Sequence, residues 1–82
     1  MTGSPPVRVR VYTKPGCHLC EDACSSVARI TSELGIGWES LDITGDDALM
    51  QRWAEYVPVI VVDGDVHDWF RVREDRLRAA LS

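Results

Sequence analysis

Lysine is nearly missing from this chain: of its nine basic residues, Lys14 alone is not an arginine. Basic charge of either kind is in deficit, since thirteen acidic residues leave a formal net charge of -4 at pH 7. Nucleic acid and anionic membranes both need a basic footprint, so neither is expected as a partner. Long apolar runs are also missing, with no stretch approaching the ~20 residues of a membrane span. The opening MTGSPP lacks the basic and then apolar pattern of a secretory leader. The expected address is the cytoplasm, where cysteines stay reduced unless they do chemistry. Three cysteines, an odd count, make no disulfide framework. Internal repeats and low-complexity segments are absent beyond the short polar stretch 1–6, expected to be a flexible tail. Residues 7–82 then form one small domain, whose core is modest at this length. A hydrophobic content of 45% suits a folded globule.

Periodicity supplies the elements. Val7, Val9 and Val11 alternate with Arg8, Arg10 and Tyr12, which is strand spacing, and Thr13-Lys14-Pro15-Gly16 turns the chain. From His18 to Leu34 a helix is expected, with Ala23, Val27, Ile30 and Leu34 on one apolar stripe and Gly35 and Gly37 closing it. A strand follows over Trp38–Ile43. A short helix is expected over Asp46–Tyr56, with Thr44 or Asp46 as its cap. The β-branched run Val59–Val62 has the pattern of a strand buried on both faces. Asp63-Gly64 signals a hairpin into Val66–Phe70, and Glu74–Leu81 closes the chain as a helix with Leu77, Ala80 and Leu81 inward. The order βαβαββα implies an α/β domain with a mixed sheet and helices packed on it. One feature conflicts with a central first strand: Arg8 and Arg10 occupy one of its faces. Either that face is poorly covered by the short helix, or the arginines reach acidic partners. Trp38, Trp53 and Trp69 are expected to supply core area, with Trp69 the weaker candidate for a surface contact.

All three cysteines crowd into the segment KPGCHLCEDAC. They suit a redox pair with a bystander, a metal site, or small core hydrophobes. On a helix, at ~100° per residue, Cys17, Cys20 and Cys24 share a stripe roughly 60° wide. Cys17 and Cys24 are about 10 Å apart along the axis, beyond the ~7 Å Cα separation that a disulfide tolerates. Cys20 and Cys24 lie on a rigid helix with poor geometry for a bond. Cys17, at the flexible helix entrance, and Cys20 form the pair that can cycle. Zinc-bound sulfurs lie within ~4.6 Å of each other. One helix does not bring Cys17 and Cys24 so close, and a fourth ligand is missing unless His18 or His67 supplies it.

The spacing also has a chemical reason. The first turn of a helix presents unpaired N–H groups and the positive end of a dipole, which favour a thiolate. A free thiol is only roughly 3% ionised at pH 7, whereas a pKa near 6 at a helix N-terminus gives ~90% thiolate. Lys14 and His18 are candidates to add positive charge there. Cys17 is thus the expected nucleophile. Cys20, one turn deeper, is the expected resolving thiol that attacks the mixed disulfide. Cys24 is expected to be a buried small residue, and His67 an ordinary strand residue.

The stretch VYTKPGCHLC, followed about forty residues later by YVPVIVVDG, resembles the glutaredoxin branch of the thioredoxin superfamily. The ending FRVREDRLRAAL is similar to a small group of bacterial glutaredoxin-like proteins. The resemblance covers about residues 7–81. It implies a thioredoxin fold, with a four-stranded mixed sheet, helices on both faces, and the C-x-x-C after the first strand. It also implies a nucleophile at Cys17, a resolving thiol at Cys20 and a cis-proline at Pro58. The backbone of Val57 would then pair with the incoming disulfide, and Tyr56 would flank that surface. Thr13 and Lys14 match positions that commonly precede the glutaredoxin motif. The expected activity is thiol–disulfide exchange with no bound cofactor, carried out by a monomer. A disulfide-containing protein or a low-molecular-weight thiol, glutathione or an analogue, would be the substrate. A reductase or a thiol would donate electrons. Two departures stand out: His18-Leu19 replaces the usual Pro-Tyr, and WFRVRED stands where glutaredoxins carry Gly-Gly and an acid. The resemblance also admits an iron–sulfur or metal carrier that shares Cys17 across a dimer. A redox-inert thioredoxin-fold interaction module is the third alternative.

Overall fold

A computed structural model describes residues 5–82. Strand β1 (Val7–Thr13) is followed by helix α1 (His18–Leu34), β2 (Gly37–Asp42), α2 (Asp47–Trp53), β3 (Val59–Val62), β4 (Asp65–Trp69) and α3 (Glu74–Leu81). The four strands form one mixed sheet in the order β2-β1-β3-β4. β1 runs parallel to β2 and antiparallel to β3, which pairs antiparallel with β4. This is the thioredoxin-like βαβαββα architecture, flanked by helices. No helix among the described residues is long and apolar enough to cross a membrane. Residues 1–4 of the expected tail lie outside the described residues. Pro6 is fixed to the sheet margin, where its carbonyl accepts a hydrogen bond from the Gly37 N–H at 3.2 Å.

The sheet is covered unequally. Val9 and Val11 of β1 and Ile60 and Val62 of β3 pack with Ala23, Val27 and Ile30 of α1 and Leu77 and Leu81 of α3. Arg29 joins the two helices through Glu74 at 2.6 Å. On β1 the side chains between the valines emerge opposite this core, and there both expected solutions for the arginines hold. Arg8 meets Asp63 at 2.8 Å and Arg10 meets Glu39 at 2.7 Å, while α2 contributes no buried side chain. Ile43, Pro58 and Val59 are nevertheless fully buried outside the main cluster.

Several boundaries differ from the sequence expectation for local reasons. α2 ends at Trp53 rather than Tyr56, and the Tyr56 N–H turns back onto the Trp53 carbonyl at 2.8 Å. Asp46, not Thr44, caps it: the Asp46 carboxylate accepts from the Leu49 N–H at 3.1 Å. The Thr44 hydroxyl is instead bonded to Asp42 at 2.6 Å. β2 and β4 each begin and end one residue earlier than expected. Leu34 and Ala80 are exposed, and Thr31 takes an inward place on α1 by donating its hydroxyl to the Val27 carbonyl at 2.7 Å. None of the three tryptophans is fully buried; Trp38 packs on the core margin and Trp69 is exposed.

Candidate active site

β1 delivers the chain to a turn at Lys14-Pro15-Gly16. Gly16 adopts a φ of +71°, a left-handed conformation that costs glycine little. The next residue, Cys17, is the N-cap of α1 with an extended backbone (φ -103°, ψ 107°). Its Sγ accepts a hydrogen bond from the Cys20 N–H at 3.2 Å, so sulfur takes the place usually held by a serine or aspartate oxygen. The Cys17 carbonyl accepts from the Glu21 N–H at 3.1 Å and begins the helical ladder. Such a cap satisfies one of the orphan donors of the first turn. A negatively charged sulfur makes that bond stronger.

The same helix treats its three sulfurs differently. Cys17 is partly exposed, Cys20 is buried at 3% relative exposure, and all three cysteines are free thiols. Burial pushes the Cys20 thiol up to about 11, and its hydrogen bond to Cys17 pushes in the same direction. Cys24 is also raised, first by burial and then by the charge of Cys17. An accessible sulfur at the helix mouth thus faces a buried one that holds its proton. Together with Thr13, Lys14, Cys24 and Ser40, the pair lines a depression of about 260 Å3. Cys24, expected to be a buried small residue, is only partly buried and forms part of this wall. Its i+4 spacing from Cys20 was the available signal.

Strand register brings a second segment to this end of the sheet. Tyr12 pairs with Val59 in an antiparallel ladder, so the chain leaving β1 and the chain entering β3 emerge together. The Val57–Pro58 peptide bond is cis. Val57 itself takes no part in backbone hydrogen bonding among the described residues, whereas the Pro58 carbonyl accepts from the Phe70 N–H at 2.8 Å. Tyr56 is exposed beside it. Lys14 lines the depression, but its Nζ reaches the Ala54 carbonyl at 3.5 Å and so ties the turn to the end of α2. His18 is turned outward, with its side chain 96% exposed and its Nδ1 3.7 Å from Glu21. Among the described residues no group of three or more His, Cys, Asp or Glu side chains is placed to hold a metal ion.

Comparison with known proteins gives a consistent result. The family model for the Glutaredoxin-like domain (DUF836) matches residues 8–82. An uncharacterized protein of Mycobacterium tuberculosis is 31% identical over 80 residues, which span 92% of this chain and 82% of that protein. An X-ray structure of a protein from X. campestris superposes with a TM-score of 0.73 at 31% identity, covering 89% of this chain and 93% of the other. A solution structure of a Nitrosomonas europaea protein superposes with a TM-score of 0.80 at 26% identity, covering 100% and 99%.

Proposed function

The chain belongs to the glutaredoxin-like domain family, and from that premise we propose that it is a thiol–disulfide oxidoreductase working through Cys17 and Cys20. The observation that carries this proposal is the asymmetry of the two sulfurs. One caps the helix and accepts an amide N–H, while the other is buried and keeps its proton.

The exchange runs in two steps. The Cys17 thiolate attacks one sulfur of a substrate disulfide. A Cys17–substrate bond forms, the substrate S–S bond breaks, and the displaced thiolate takes up a proton. Cys20 then gives up its proton and attacks Cys17 Sγ. The Cys17–Cys20 disulfide forms and the second substrate thiolate leaves, taking a proton in turn. Two electrons and two protons have passed to the substrate. An external reductase or two equivalents of a low-molecular-weight thiol, glutathione or an analogue, return them. The unused N–H and C=O of Val57, next to Pro58, suit an extended substrate segment, with Tyr56 at its side. Lys14 and the exposed His18 are the basic side chains nearest in sequence to Cys17. In this proposal the protein acts as a cytoplasmic monomer.

The test is trapping. A Cys20→Ser variant should hold substrates on Cys17 as mixed disulfides, detected by mass and released by dithiothreitol. A Cys17→Ser variant should hold none. If both variants trap equally, or neither traps anything, the proposal fails.

A further inference from the structure

Four aromatic rings gather where the Val57–Pro58 segment meets the chain after β4. Tyr56 is the hub, with ring centroids 6.3 Å from Trp53, 6.4 Å from Trp69 and 6.1 Å from Phe70. These separations lie in the attractive range for aromatic pairs. The cluster is nevertheless not core: Tyr56, Trp69 and Phe70 are 43%, 47% and 44% exposed. Phe70 also holds a φ of +70°, a conformation that a bulky side chain adopts only at a cost. Its N–H is bonded to the Pro58 carbonyl, so the strained residue sits directly against the candidate site.

The charges around these rings run against the net charge of the chain. Arg52 lies 4.9 Å from the centre of the Trp53 ring. Lys14 reaches the adjoining Ala54 carbonyl, and Arg71 follows Phe70 in the chain. None of these three cations has an ion-pair partner among the described residues, whereas Arg8, Arg10, Arg29, Arg73 and Arg78 all do. Glu55 is the acid interleaved with them. The rim is therefore net positive in a chain whose formal charge is -4.

We propose that the Tyr56–Trp69–Phe70 surface is a docking face for an extended polypeptide disulfide that carries an apolar and an acidic residue beside its cysteine. The inference rests on the oxidoreductase proposal and adds the substrate class. An apolar side chain laid on the rings removes exposed aromatic area from water. An acidic neighbour meets the unpaired arginines, where charge complementarity supplies selectivity. A small disulfide has no side chain to place on the rings, so it gains neither contact.

The test separates docking from chemistry. Two peptides with an S-methylated, unreactive cysteine, acetyl-Asp-Phe-Cys-Gly-amide and acetyl-Lys-Ser-Cys-Gly-amide, are titrated while tryptophan emission is followed. The first should bind at least ~10-fold tighter, and Phe70→Asn and Arg71→Glu should each remove most of that preference. Asparagine enters the left-handed region readily, so Phe70→Asn should keep or raise the melting temperature while it loses peptide. Equal binding of the two peptides overturns the proposal. So does self-association of the chain that Phe70→Asn abolishes, because the rings then serve a second copy. Reduction of bis(2-hydroxyethyl) disulfide is measured in parallel. If it proceeds while the peptides bind alike, only the docking face is refuted. If it fails and no mixed disulfide forms, the oxidoreductase proposal falls, and the titration still decides whether the surface binds such peptides.

Discussion

The chemistry of Cys20 can be predicted quantitatively from its surroundings. Its thiol is raised from an ordinary 9.0 to about 11, because the core that buries it disfavours the anion and because it is hydrogen-bonded to Cys17. At pH 8 an ordinary thiol is about 9% ionised and one titrating near 11 about 0.1%, so ionisation alone slows alkylation roughly 100-fold. Burial slows it further, since at 3% exposure the sulfur meets a reagent only after local opening. The assay is timed iodoacetamide labelling of the reduced chain, quenched and mapped by mass, with the same chain in denaturant as reference. Cys17 should label first, the partly buried Cys24 with its raised thiol next, and Cys20 last by at least ~100-fold against the denatured reference. Removing the Cys17 sulfur in Cys17→Ser removes one of the two leading causes. The Cys20 rate at pH 9 should then rise, yet stay well below the denatured rate because burial remains. A folded-state Cys20 rate within ten-fold of the denatured value at pH 8 would refute the reasoning.

Three further outcomes follow from packing and linkage. Leu77 is fully buried between α3 and the sheet, so Leu77→Ala should cost about 2–5 kcal/mol in urea unfolding. Gly37→Ala would place a Cβ 2.7 Å from the Pro5 carbonyl oxygen and 2.9 Å from that of Pro6. With backbone on both sides unable to give way cheaply, a loss of about 1–3 kcal/mol is expected, and an unchanged urea midpoint would mean that the proline segment does not lie against β2. The raised Cys20 thiol also links stability to alkaline pH. The folded chain keeps a proton that the unfolded chain releases near its ordinary 9.0. That contribution is whole below the unfolded value and is lost as pH climbs through about 11. Urea midpoints should fall across this window, and Cys20→Ala should flatten the part of the decline that belongs to this thiol.

The fold was largely legible because its signals are local. α1 and α3 match their expected bounds residue for residue, since each is framed by a turn or cap and carries an apolar stripe. β3 reads as a run of β-branched residues and is buried throughout. What escaped the sequence depends on neighbours distant in the chain. Ala80 looks apolar enough to face inward, but α3 is short and Leu77 and Leu81 already fill its contact with the core. Ala54, Glu55 and Tyr56 read as helical, yet the aromatic hub and the approach to Pro58 take the chain out of the helix after Trp53. The left-handed backbone of Phe70 carries no sequence signal, because that conformation usually announces itself as glycine or asparagine. At the candidate site the spacing of Cys17 and Cys20 was legible. The attachment of Lys14 to Ala54 was not, since it depends on where α2 ends.

One physical arrangement connects stability and reactivity in this chain. α1 carries Cys20, Ala23, Val27 and Ile30 on the same buried side, so the surface that holds the helix to the sheet also surrounds the second sulfur. The opposite side of β1 carries the Arg8–Asp63 and Arg10–Glu39 pairs rather than a comparable apolar layer. Exposed pairs of that kind contribute little to stability. The main hydrophobic cluster is therefore concentrated on the α1–α3 side. Tight packing there keeps water from Cys20 and holds its proton, while the Cys17 side chain, at the N-cap where α1 begins, is left accessible. The difference between the two thiols is thus a property of the helix's seat on the sheet as much as of the cysteines themselves.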